Sequence, residues 1–195
     1  MNITILGTGN MAKGLASVFA AGGYDVTLGS RDAARAKETA KALGARVKGE
    51  GLAAAASKAD VIVLAVPFDA AAETIAAAGG LAGKILVDIS NPLTPDYMGL
   101  TVGHSTSAAE EIQKLAPKAK VVKAFNTVFA SVLQGGGKIG KTAVTVFVAG
   151  DEGPGELEGA LVGEDEREAG EGQLERPSVD VEPRLDRHPE NKTID

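Results

Sequence analysis

Six short apolar runs, at residues 3–6, 26–28, 61–66, 85–89, 121–125 and 144–149, recur between alanine-rich stretches of helical character. Runs this short, with little polar alternation, suit strands covered on both faces, as in a parallel sheet. The stretches between them carry helix punctuation. Asp32 is placed to cap a helix over Ala33–Leu43, with Gly44 closing it. Ser107 and Glu110 form an S-x-x-E capping box ahead of Ile112 and Leu115, and Pro117 ends that segment. Earlier, Met11, Leu15, Val18 and Phe19 share one helical face, and Gly22-Gly23 stop the helix. Strands alternating with helices predict right-handed βαβ units and an α/β fold, a doubly wound parallel sheet of Rossmann type in the order 3-2-1-4-5-6. Ligands of such sheets lie beyond the carboxyl ends of the strands, where the order reverses.

The first of these ends carries the sequence Gly7-Thr8-Gly9-Asn10-Met11-Ala12, a G-x-G-x-x-A pattern. Gly7 permits a tight strand-to-helix turn, Gly9 lets backbone N–H groups approach a pyrophosphate, and Ala12 keeps the helix close to the strand. Gly14 is expected to help the same packing. The start of the following helix adds partial positive charge. Because the pattern follows a strand and opens an amphipathic helix, it predicts a dinucleotide site.

The end of the second strand decides which dinucleotide. An NAD site usually has Asp or Glu there, about twenty residues on, to accept from the ribose 2′-hydroxyl. Here the residues are Leu28-Gly29-Ser30-Arg31. Ser30 offers a hydroxyl and Arg31 a planar guanidinium that matches a 2′-phosphate. Arg35, one helical turn further, adds a second cation, while Asp32 is used as a cap. These residues predict NADP.

Three more strand ends face the same crevice. Ala65, Val66, Pro67 and Phe68 close the fourth strand and are expected beside the nicotinamide. Asp88-Ile89-Ser90-Asn91-Pro92 closes the fifth, and Lys123-Ala124-Phe125-Asn126-Thr127 the sixth. Asn91 and Asn126, with Pro92, are candidates to meet the carboxamide or a second substrate. Each asparagine is equally placed to bond its own turn. No acid–base pair, nucleophile or metal-ligand cluster is legible, so no catalytic residue and no metal is assigned. His104 is the only histidine of the first 150 residues. Hydride transfer between two cofactors requires none of these groups, since the reactive carbons belong to the cofactors.

Composition divides the chain. Residues 1–150 hold 15 Lys and Arg against 11 Asp and Glu, whereas residues 151–195 hold 5 against 15. All seven Phe and Tyr lie in the first part, and the second has only eight Ile, Leu and Val. So little apolar surface cannot offset the entropy of ordering a chain. A folded domain over residues 1–150 and an acidic, disordered tail over 151–195 are therefore expected. The absence of cysteine excludes disulfides and thiolate chemistry. With no signal peptide, no membrane-length apolar run and no basic stripe with aromatics, a soluble cytoplasmic protein is expected, with neither membrane nor nucleic acid as partner.

The segments GTGNMAKGLA at 7–16, LGSRD at 28–32, VLAVPF at 63–68, DISNP at 88–92 and VVKAFNT at 121–127 together resemble the coenzyme F420-dependent NADP oxidoreductase family. The resemblance runs to about residue 151. KAFNT is its most telling part, and it is shared with the related cytoplasmic domains of membrane ferric reductases. The family implies reversible hydride transfer between NADPH and the deazaflavin F420, with NADP contacts from Thr8, the glycine turn, Ser30, Arg31 and Arg35. Because relatives also occur where F420 is not made, the resemblance equally allows a flavin or another small molecule as the acceptor. The opening also looks similar to pyrroline-5-carboxylate reductase, but nothing after residue 151 resembles that enzyme's helical dimerisation domain. Nor does the tail match the elements that complete the acceptor pocket and homodimer of the F420 family. A reading-frame shift near residue 152, or a degenerate terminus, is the expectation that follows. The alternative function is then dinucleotide binding without turnover.

Overall fold

The computed structural model describes residues 1–151. Everything expected of the tail, including its disorder and its origin in a frame shift, lies outside the described residues. In chain order the elements are β1 Asn2–Leu6, α1 Asn10–Ala21, β2 Asp25–Ser30, α2 Ala33–Leu43, β3 Val47–Gly51, α3 Leu52–Ser57 and β4 Val61–Leu64. A 3-10 turn at Phe68–Ala70 follows, then α4 Ala71–Ala78, β5 Ile85–Asp88, α5 Ala108–Leu115, β6 Lys120–Ala124 and α6 Ala130–Gln134. The described chain closes with β7 Lys138–Ile139, β8 Thr142–Ala143 and β9 Val148–Gly150.

The sheet runs β3-β2-β1-β4-β5-β6-β9, with β1 to β6 parallel and β9 antiparallel to β6. This is the predicted doubly wound order with one antiparallel edge strand added. That edge corrects the sequence reading of the last apolar run: only Val148 and the two residues after it pair with β6, while Val144 extends the β7–β8 hairpin by donating to the Gly137 carbonyl at 3.0 Å. β3, implied by the strand order, is marked by no apolar run, because Val47-Lys48-Gly49-Glu50-Gly51 has one apolar side chain. It forms because β2 offers it a ladder and because Gly49 lets α2 approach. A Cβ at Gly49 would stand 2.2 Å from the Ala36 carbonyl carbon.

The unalternated runs are explained by two cores, one on each face. Ile3, Ile5, Val61, Val63 and Val87 face α1 and α6, where Leu15, Phe19 and Leu133 are buried. Ile62, Leu64 and Leu86 point the other way, onto Leu52 of α3, Ile75 of α4 and Ile112 of α5. Helix ends follow the sequence closely. Asp32 Oδ1 accepts from the Ala34 and Arg35 amides at 2.9 and 3.1 Å, and Gly44 closes α2 at φ 114°. Ser107 and Glu110 form the predicted reciprocal box. Among the described residues no helix is long and apolar enough to cross a membrane.

Candidate functional site

At the carboxyl end of β1 the chain makes its tight turn through Gly7, at φ 138°. Any side chain there is excluded, since a Cβ would lie 2.3 Å from the Ala65 carbonyl oxygen. The Gly7 amide donates to the Gly29 carbonyl at 2.8 Å, and the Ala65 amide to that of Leu6 at 2.9 Å. The turn is thereby fixed to β2 on one side and to the end of β4 on the other. Gly9 is different. Its backbone is ordinary extended chain, and a Cβ on it would meet nothing within 4 Å. What Gly9 leaves is open space above the start of α1, whose first turn has no side-chain cap. Thr8 and Met11 flank this space half-buried, and Asn10 is exposed. Ala12 is fully buried.

Gly14 has another role than the one expected of it. A Cβ at this position would lie 2.7 Å from the Cβ of Leu133, so the glycine admits α6 against α1, not α1 against the sheet. Gln134 at the end of α6 donates to the Asn10 carbonyl at 3.3 Å. The start of α1 is therefore held from behind.

Beyond β2, Ser30 Oγ accepts from the Asp32 amide at 3.2 Å, which leaves its hydroxyl hydrogen available to donate. Asp32 is engaged in capping α2, as predicted. Arg35 is exposed. Arg31 has a partner the sequence did not reveal: its Nη1 lies 2.9 and 3.1 Å from the two carboxylate oxygens of Glu73, in the first turn of α4. Both side chains are about two-thirds exposed, at 69% and 65%. Because β1 separates β2 from β4 in the sheet, this ion pair links the segments on either side of the glycine turn.

β4 ends at Leu64, two residues before the predicted end of its apolar run. Ala65 and Val66 are half-buried and Pro67 is exposed, and the Ala70 amide donates back to the Pro67 carbonyl at 3.0 Å. The β5 and β6 ends are joined to each other. Asp88 is fully buried, and its Oδ2 receives Lys123 Nζ at 2.7 Å. Asp88 Oδ1 accepts from the Ser90 amide at 2.8 Å, and Lys123 also donates to the Ser90 carbonyl. Asn91 Nδ2 donates to the Asn126 carbonyl at 2.9 Å, with Asn126 Nδ2 at 3.4 Å from Asn91 Oδ1. The two asparagines thus bond across the strands, neither within their own turns nor free of partners. Pro92 is half-buried beside them. Ser90 Oγ is buried without a partner among the described residues. Phe125 is held at φ 59° and packs edge-on against Phe19, with ring centroids 6.1 Å apart.

The sequence carries no local signal for the Lys123–Asp88 pair; the β5–β6 register sets Asp88 opposite Lys123. His104 is exposed, at φ 63°. No group of three or more His, Cys, Asp and Glu able to hold a metal occurs among the described residues.

Comparison with known proteins agrees with this arrangement. The family described as NADP oxidoreductase, coenzyme F420-dependent, matches residues 2–92. The F420-dependent NADP reductase of Methanothermobacter marburgensis is 34% identical over 148 residues, covering 68% of this chain and 66% of its own length. Metalloreductase STEAP3 of Rattus norvegicus is 35% identical over 150 residues, which are 77% of this chain and 29% of the rat protein. A crystal structure assigned to an F420-dependent NADP-reductase of Arthrobacter sp. FB24 superposes with a TM-score of 0.71 at 33% identity, covering 82% of this chain and 78% of the other. The chain spans less than two-thirds of the length of these two curated relatives. With the glycine turn, the Ser30-Arg31 segment and the joined β5–β6 ends in place, the chain belongs to the F420-dependent NADP oxidoreductase family.

Proposed function

We propose that the chain binds NADP(H) across the ends of β1, β2 and β4 and passes its hydride to a small acceptor of the deazaflavin or flavin kind. The observation that carries the cofactor choice is the commitment of Asp32. Its Oδ1 caps α2, and the strand end itself carries Ser30 in place of an acid, so a ligand beyond β2 meets a hydroxyl and two guanidinium groups. That set fits a 2′-phosphate. The open space above Gly9, at an uncapped helix start, fits a pyrophosphate in the same way.

NADPH, when bound, supplies the hydride. The residues of the chain then have separable tasks. The α1 amides and Thr8 take the pyrophosphate, and Ser30, Arg31 and Arg35 take the 2′-phosphate. Ala65, Val66 and Pro67 form an apolar wall for the nicotinamide, and the joined turns at Asn91, Pro92 and Asn126 bound the acceptor side. Among the described residues nothing is asked to give or take a proton.

Arg31→Ala tests the cofactor choice. A charge-assisted hydrogen bond is worth about 1.5–3 kcal/mol, so NADPH affinity is expected to fall about 10- to 100-fold while NADH affinity stays close to its starting value. Equal losses for both would refute the 2′-phosphate role. NADPH oxidation with F420, FMN or FAD then tests the acceptor. The reading of binding without turnover draws on the acceptor side, where the asparagine amides and the lysine are satisfied by neighbouring protein groups. Tight NADPH binding with no oxidation on any of the three would favour it.

A further inference from the structure

We infer that Glu73 sets the strength of cofactor discrimination, by competing with the 2′-phosphate of NADP(H) for the Arg31 guanidinium. The inference rests on the NADP(H) reading above. Glu73 approaches Arg31 from α4, an element with no other assigned part in cofactor binding, and engages a single nitrogen, Nη1, with both carboxylate oxygens. Neither side chain is confined. Both stand about two-thirds in solvent, where such a pair is weak and readily exchanged. A phosphate ester brings up to two negative charges and three acceptor oxygens, more than the carboxylate offers. Phosphate therefore displaces the carboxylate from the guanidinium. The cost of doing so falls on NADP(H) alone, since NAD(H) has no phosphate at that position to exchange for it.

Two consequences separate this from a supporting role in which Glu73 orients Arg31 for the ligand. Removing the Glu73 charge strengthens NADPH binding under competition and weakens it under support. The effect also passes through Arg31, so it disappears when the guanidinium is absent. Glu73 is exposed and belongs to neither core, so Glu73→Gln keeps the size of the side chain without disturbing packing.

The experiment is a set of NADPH and NADH dissociation constants for the full 195-residue chain, measured by calorimetry. Wild type, Glu73→Gln, Arg31→Ala and the double variant are compared, with thermal unfolding as the folding control. Expected is a two- to fivefold tighter NADPH constant for Glu73→Gln, as for the loss of one exposed ion pair. NADH should be unchanged, and Glu73→Gln should have no effect on the Arg31→Ala background. Weaker NADPH binding in Glu73→Gln, or an unchanged ratio of NADPH to NADH, overturns the inference even where Arg31→Ala discriminates against NADPH as proposed. Equal loss of both nucleotides in Arg31→Ala instead removes the NADP(H) reading, and the inference with it.

Discussion

The two sides of the crevice are built on opposite plans. Around β1 and β2 the chain leaves groups open: the uncapped start of α1, the space over Gly9, the Ser30 hydroxyl hydrogen and the exposed Arg35, with Arg31 held only by a surface ion pair. Around β5 and β6 it closes them on one another, through Asp88, Lys123 and the Ser90 backbone and through Asn91 with Asn126, the buried Ser90 Oγ being the exception. An open set of donors waits for a ligand to satisfy it. A closed set can only present a shape. On the reading proposed above, the first side would recognise charge and the second hold a surface in position.

This contrast makes predictions of graded size. Lys123→Met should be the most damaging change, because it leaves a fully buried Asp88 carboxylate without its cation. Breaking one partner of a buried pair costs about 3–5 kcal/mol, read as a lower midpoint in chemical denaturation. A loss below about 1 kcal/mol would show the acceptor side to be less closed than described. Gly7→Ala comes next. It combines a positive φ with a clash against the Ala65 carbonyl, and overpacking with such strain costs about 2–4 kcal/mol. By contrast Gly9→Ala, with nothing near the added methyl, should unfold as wild type does while binding NADPH more weakly. Loss of stability at Gly9 would break the comparison, since that position is assigned to the ligand and Gly7 to the fold. The smallest effect is expected of Asn126→Ala. It removes the side-chain contact at 3.4 Å but keeps the carbonyl that accepts from Asn91, and should cost at most about 1 kcal/mol in thermal unfolding.

The same contrast explains what could be read from the sequence. The open side is written locally: a turn within six residues, a cap two and three residues from the amides it accepts from, a hydroxyl beside them. Asp32, Gly44 and the glycine turn could therefore be assigned from neighbours in the chain. The closed side is written across strands. Asp88 and Lys123 are 35 residues apart, as are Asn91 and Asn126. Only the register of the folded sheet brings such pairs together. Two further gaps have local causes. β3 has too few apolar residues to show a strand period, and its pairing with β2 supplies what its composition lacks. Gly14 was assigned to strand packing because α6, the element it actually admits, is five residues long and carries no periodic signal.

Because Asp32 serves the helix, cofactor preference and stability can be redesigned separately here. Turning this crevice toward NADH does not require disturbing the existing acid, whose loss as a cap would cost about 1 kcal/mol of fold stability for no gain in recognition. The position to change is Ser30, the last residue of β2, where a new carboxylate would stand at the strand end with the α2 cap intact. A single aspartate already present two residues away is thus no obstacle to engineering. It is the anchor that lets its neighbours vary.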